Sequence, residues 1–183
     1  VERSRGLGDV YKRQHHNCVF VGRDHTGQAR YAGLRGTYDR DGKGFRGDVS
    51  GSDKNIGFAI PCDPVSDQVR VFEAPIDLMS YCTLHRSCCN AVALCGLYDG
   101  ALRTYLRNNP QIKRIVLCLD MDTPGQETAE QLRKKYAEMG YEISQEKPHI
   151  GKDWNEYLQK RKSPERGQTC GEVRASDRVS ESS

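Results

Sequence analysis

From residue 69 onward, short apolar strand-like runs alternate with helix-like stretches, and nothing else in this 183-residue chain restricts its fold so tightly. Val69-Arg70-Val71-Phe72-Glu73 reads as a strand. Pro75, at a first helical position, opens a helix to about Arg86, with Ile76, Met79 and Cys82 on one face. Ala91 to Cys95 reads as a buried strand and Asp99 to Arg107 as a helix that stops before Pro110. Ile112 to Leu119 is a third strand running into Asp120. Thr123 is expected to cap the next helix, with Gln126 completing a capping box and Pro124 in the first helical position. Ala129, Leu132, Tyr136 and Met139 give that helix its apolar stripe, Gly140 ends it, and Tyr141-Glu142-Ile143 begins a fourth strand. Such an order demands βαβ crossovers and an α/β fold with a mainly parallel sheet flanked by helices.

Ligands of parallel sheets gather at the carboxyl ends of the strands. Glu73 ends the first strand here, and Asp120 and Asp122 follow the third. Like charges brought together in a partly buried place cost several kcal/mol unless something neutralises them, and a hard divalent cation is the usual answer. Each residue also has a plainer reading: Asp122 as a helix starter, Glu73 as a surface residue before Pro75. Asp153, with Glu156 three residues on, fits both metal binding and a capping box for the last helix.

The flanks differ from this α/β unit. Residues 15–65 are rich in Gly, Asp and Arg. Their β-like pieces are Cys18–Val21, Ala29–Ala32 and Gly57–Ile60, with turn signals at His25–Gln28 and Asp41–Gly44. A small β-rich subdomain with hairpins is expected there, ahead of a larger domain over 66–159. Residues 160–183 are polar and read as a disordered tail. Asp9 to Gln14 can be encoded by GAT-GTG-TAT-AAG-AGA-CAG, and the stretch resembles a translated sequencing adapter. Residues 1–14 are therefore left out of the fold, and the gene is expected to continue upstream of residue 15.

Charge sharpens the picture. The whole chain carries 28 basic and 25 acidic side chains, a net of +3. Residues 1–14 hold four basic and two acidic side chains, and residues 160–183 hold six and four; 18 basic and 19 acidic remain in between. The basic excess thus lies outside the expected fold. No apolar run approaches the ~18 residues of a membrane span, so no membrane partner is expected. The eight cysteines form no C-x-x-C pair and lie mostly in apolar runs, which argues against zinc and for a reduced, cytoplasmic protein.

Three stretches carry a family resemblance. Val69 to Asp77 is similar to the first motif of the Toprim domain, a strand ending in a glutamate with an acidic residue four positions later. Ile115 to Gly125 resembles the Toprim D-x-D motif and its glycine. Gly151-Lys152-Asp153-Trp154-Asn155 resembles the stretch that closes the domain in bacterial replicative primases. The resemblance spans about residues 69–158. It implies a Rossmann-like Toprim fold, Glu73 as the catalytic carboxylate or a metal ligand, Asp120 and Asp122 holding Mg2+ (or Mn2+), and Asp77 and Asp153 completing the metal site. Asn155 departs from the acidic residue of many primases, which puts a second metal in question.

Asn17 to Pro61 looks like the segment that precedes Toprim in primase-like proteins of bacterial mobile elements. The implied function is Mg-dependent nucleotidyl transfer on a single-stranded DNA template with nucleoside triphosphates, in a replication or conjugation protein. A Toprim nuclease or a non-catalytic binding module is the alternative. Lys54, Arg35, Arg46 and Lys152 are the candidate nucleotide or nucleic-acid contacts. Residues 23–54 also carry seven basic and five acidic side chains, which a solvated mixed surface explains equally well. Leu119 to Thr123 resembles the nucleophile motif of haloacid-dehalogenase-type phosphatases too, but Pro124 and the position on a third strand depart from it.

Overall fold

The computed structural model describes residues 17–40, 43–60, 63, 65–86 and 90–162. The expectations for residues 1–14 and for 163–183 of the expected tail therefore lie outside the described residues, while residues 160–162, placed in that tail, are helical and close the last helix. Asn17–Arg23 (β1), Ala29–Arg40 (β2) and Lys43–Asp48 (β3) form a three-stranded antiparallel sheet in that order. The β1–β2 turn is built by Asp24, whose Oδ1 accepts from the backbone N–H of Thr26 at 2.9 Å and of Gln28 at 3.1 Å.

The second sheet comprises Ala59–Ile60 (β4), Gln68–Phe72 (β5), Ala91–Ala93 (β6), Arg114–Leu117 (β7) and Glu142–Gln145 (β8). Its order is β4-β6-β5-β7-β8, with β6, β5, β7 and β8 parallel and β4 antiparallel on the edge. Among the described residues four helices accompany it: Pro75–His85 (α1), Gly100–Asn108 (α2), Thr123–Glu138 (α3) and Trp154–Lys162 (α4). This is the expected α/β unit, a mainly parallel sheet with helices, beside a separate antiparallel sheet.

Alternation along the strands builds two cores. Val69, Val71, Ile115 and Leu117 face Leu102, Leu106, Ala129, Leu132 and Tyr136 of α2 and α3. Phe72, Ala93, Val116 and Cys118 face Leu78 and Tyr81 of α1 and Trp154 of α4. Val69, Phe72 and Leu117 are at most 1% exposed. Full burial of such a side chain is worth about 1.5–3 kcal/mol, so the central strands are the anchor of the domain. Chain direction across the sheet reverses at β5: the path runs first to β6, then back to β7 and β8. The crevice outside a sheet opens at such a reversal.

Several local expectations are corrected. The third strand of the small sheet is Lys43–Asp48, not Gly57–Ile60. Ala59 and Ile60 instead pair with Val92 and Ala91 of the large sheet. Gly57 makes this crossing feasible, since a Cβ there would lie 2.1 Å from the Ala93 carbonyl oxygen and 2.8 Å from Ala101 Cβ. On α1 the buried residues are Asp77, Leu78, Ser80 and Tyr81, while Met79 is 42% exposed. Aromatic Tyr81 packs against Phe72 and Trp154 and turns the helix that way. The cap of α3 is Asp122 rather than Thr123: its Oδ1 accepts from Gly125 N–H at 2.9 Å. Asp is the better cap, and Thr123 becomes the first helical residue. Cys82 is disulfide-bonded, against the expectation of reduced thiols, while Cys18, Cys95 and Cys118 are free. No helix among the described residues is long and apolar enough to cross a membrane.

Candidate active site

Glu73 follows the last residue of β5, and its carbonyl accepts from Gly96 N–H at 3.2 Å beyond β6. Asp120 lies three residues past β7. The chain turns sharply there, because a Cβ on Gly125 would sit 2.4 Å from the Asp120 carbonyl oxygen. That same carbonyl accepts from Gln126 Nε2 at 2.7 Å. Gln126, expected to close a capping box, thus pins the Asp120 backbone instead.

Three further carboxylates sit at the amino ends of helices. Asp122 caps α3. Asp153 Oδ1 accepts from Glu156 N–H at 2.7 Å, so the cap expected from its spacing forms. The other half of the box does not form, because Glu156 Oε2 accepts from Lys152 N–H at 2.8 Å. Asp77, 4% exposed in the first turn of α1, accepts from Asn155 N–H at 3.0 Å and so ties α1 to α4. Asn155 Oδ1 in turn accepts from Ser80 Oγ at 3.4 Å.

These groups feel one another. Burial, then repulsion from Asp77, Glu73, Asp153 and Asp122, pushes the Asp120 carboxyl up to about 8. Burial and the Asp153 charge push Asp77 up to about 6, with the Asn155 N–H working the other way. Glu73 is raised by burial and by Asp122, while Arg46 and Lys152 oppose the rise. Glu73 Oε2 and Asp120 Oδ1 are buried and have no hydrogen-bond partner.

Among the described residues, no three His, Cys, Asp or Glu side chains are drawn in tightly enough to hold an ion as they stand. The donor chemistry nonetheless fits a hard divalent cation: hard oxygen ligands, two of them orphaned, in a field with excess negative charge. Glu73, Asp120 and Asp122 are the residues that would hold it.

The small sheet closes over this edge. A cavity of about 220 Å³ is lined by Phe20, Tyr31, Arg35, Arg46, Glu73 and Cys95, among others. Arg35 and Arg46 thereby share a cavity with Glu73. Lys54 is placed differently. It is ion-paired with Asp48, and its Nζ lies 5.8 Å from the Tyr31 ring centroid. Tyr31 donates to the other Asp48 oxygen at 2.6 Å. A larger cavity, about 520 Å³, opens where β1, β4 and α2 meet and includes none of these carboxylates.

Gln126, Tyr31 and Cys95 are site neighbours that the sequence did not reveal. Only Gln126 carried a signal, since it lies six residues past Asp120 on the helix that the D-x-D stretch begins.

Comparison with known proteins agrees with this geometry. A family model described as Toprim-like matches residues 70–158. A second, described as a protein of unknown function (DUF3991), matches residues 5–63. No curated protein matches the chain. Among solved structures, the DnaG primase catalytic domain bound to ssDNA superposes with a TM-score of 0.59 at 17% identity, covering 81% of this chain and 49% of that one. A DNA primase domain from Pseudomonas aeruginosa gives 0.56 at 17% identity, covering 81% and 48%. A structure of bacteriophage T7 lagging-strand DNA polymerase with the primase domains of two gp4 subunits, bound to an RNA/DNA hybrid and dTTP, gives 0.53 at 19% identity, covering 79% and 71%. The chain spans about half the length of the first two. Residues 70–158 are a Toprim-like domain, with the fold that primase catalytic cores share.

Proposed function

We propose that the chain carries the catalytic centre of a primase-like enzyme that joins nucleotides on a single-stranded DNA template, in a replication or conjugation protein. The observation that carries this reading is the pair of orphaned, buried carboxylate oxygens on Glu73 and Asp120 at the strand-order reversal. Mg2+ or Mn2+ held by Glu73, Asp120 and Asp122 would supply charge neutralisation for the triphosphate.

The chain's own residues do the rest. Arg35 and Arg46, on the wall of the cavity that includes Glu73, bind and orient phosphate oxygens. Lys152, whose charge also acts on Glu73, is a further phosphate contact. Glu73, whose carboxyl is raised by burial and by the Asp122 charge, accepts the proton of the attacking 3′-hydroxyl as that oxygen bonds to phosphorus and pyrophosphate departs. Asp77 and Asp153 hold α1 and α4 in register and add to the field that keeps Asp120 ready for a cation.

The test is nucleotide incorporation on single-stranded DNA with Mg2+ or Mn2+, using the full-length protein. Glu73→Gln should lower it by about 10²–10⁴-fold. Undiminished incorporation after this substitution would overturn the mechanism, and strand cleavage in place of extension would favour the nuclease alternative.

A further inference from the structure

Beyond β6 the chain leaves the sheet through Cys95 and Gly96, with φ of 60° and 128°. It then presents Leu97 and Tyr98, which are 39% and 51% exposed. Gly96 is also the residue whose N–H bonds the Glu73 carbonyl, so this exposed pair begins beside the catalytic glutamate.

Tyr98 is exposed yet held. Its hydroxyl donates to Asn55 Oδ1 at 3.3 Å and accepts from Arg103. The Arg103 guanidinium carbon lies 5.4 Å from the ring centroid. The first residue of α2 makes room for the ring, because a Cβ on Gly100 would lie 2.4 Å from Tyr98 Cε1. Next to it is an open polar cavity of about 500 Å³, lined by Asp53, Asn55, Gly100, Arg103, Thr104 and Arg107, among others. Asp53 turns one oxygen back onto Asn55, and Arg103 pairs with Asp99 at 3.5 Å. Arg107 forms no ion pair among the described residues.

An exposed aromatic ring fixed at its rim, with guanidinium groups beside it, matches what single-stranded nucleic acid requires. A base offers a face to stack on and a phosphate seeks a cation, whereas in a duplex the base faces already cover one another. We propose that Tyr98, backed by Gly100 and flanked by Arg103 and Arg107, is a stacking platform for one base of a single strand that runs from the carboxylate site past the start of α2. That the strand is the template or the product of synthesis rests on the function proposed above; the platform itself does not.

The test is binding of fluorescent oligothymidylate, oligouridylate and an abasic oligonucleotide of equal length to the full-length protein. Tyr98→Ala should weaken binding of at least one base-bearing strand by about 5- to 150-fold, the range expected for one lost stacking contact, and leave the abasic strand unchanged. Tyr98→Phe keeps the ring and should stay within about threefold of the unsubstituted protein, far less than a lost stacking contact. Arg107→Ala should weaken all three strands and reduce the slope of log affinity against log salt by about 0.7. Base-bearing strands that bind Tyr98→Ala normally, or an equal loss on the abasic strand, would overturn the platform. Nucleotide incorporation by the unsubstituted protein is the separating measurement. If it incorporates no nucleotides but the Tyr98 pattern holds, the catalytic reading fails and the platform stands. If incorporation occurs and the pattern is missing, the reverse is true.

Discussion

Asp99 and Asp120 both follow a parallel strand of one sheet, and their surroundings are opposite. Burial works against ionisation at Asp99. Hydrogen bonds from Lys135 and Tyr136, with the Lys135 and Arg103 charges, outweigh it and hold the carboxyl below its usual range. At Asp120 burial acts in the same direction, but the neighbours are Asp77, Glu73, Asp153 and Asp122, and the carboxyl rises to about 8. The chain has the means to neutralise an acid at this edge, and it does so where the acid ties α2 to α3. Asp120 has no basic partner of this kind, and at Glu73 the Arg46 and Lys152 charges do not outweigh burial and Asp122, a contrast that supports the cation site proposed above.

The contrast can be broken most sharply by isosteric amides. Glu73→Gln should reduce incorporation by about 10²–10⁴-fold, the usual contribution of a general base. Asp99→Asn should leave the activity per folded molecule unchanged, as measured by steady-state incorporation. Next in size is the response to cation. Mg2+ at about 100 times its dissociation constant should raise stability by about 2.7 kcal/mol in a denaturant titration of the unsubstituted chain. The same gain should appear in Asp99→Asn and be absent in Asp120→Asn.

Without cation the two aspartates should move stability in opposite directions. Asp99→Asn leaves Lys135 and Arg103 without their carboxylate and should lower stability by about 1–3 kcal/mol. Asp77→Asn removes a charge that burial disfavours while keeping an oxygen for Asn155 N–H. At pH 8 it should raise stability by about 2–3 kcal/mol, from a displacement of about two pH units. The pH profile follows. A raised carboxyl binds its proton more tightly in the folded chain, so cation-free stability should fall from pH 4 to pH 8. Asp77→Asn and Asp120→Asn should each flatten that fall, and a profile that they do not change would dissolve the contrast. The smallest effect belongs to Lys54→Ala. Its half-exposed pair with Asp48 should be worth under about 1 kcal/mol in thermal melts.

Much of the large sheet was legible because its central strands are buried on both faces. Runs such as Ile115 to Leu119 are then apolar without interruption, and Glu73 and Asp120 stand out as the first charges after them. The small sheet was harder. Gly44, Gly47 and Arg46 give β3 no alternation, and Phe45, its one large apolar residue, is 55% exposed. Periodicity on α1 favoured Ile76, Met79 and Cys82. The burial of Asp77 and Ser80 depends on α4, which reaches them from 75 to 78 residues away in sequence. The neutralisation of Asp99 was equally hidden, because Lys135 and Tyr136 lie 36 and 37 residues on. Asp122 shows that two readings of one residue can coexist: it caps α3 with one oxygen, and its charge acts on Glu73.

Gly57 has a consequence for how this architecture can vary. A Cβ on Gly22 of β1 would lie 2.6 Å from the Gly57 carbonyl oxygen, and one on Gly57 would lie 2.1 Å from that of Ala93. Main chain at these two glycines therefore sets the separation between the arginine-bearing sheet and the carboxylate-bearing one, together with the edge-on packing of Phe20 against Phe58. A contact of bare backbone leaves no side chain that could be trimmed to bring the two closer. Adding a single methyl group at Gly57 would act as a shim, wedging the two halves of the cavity apart without touching any residue that lines it.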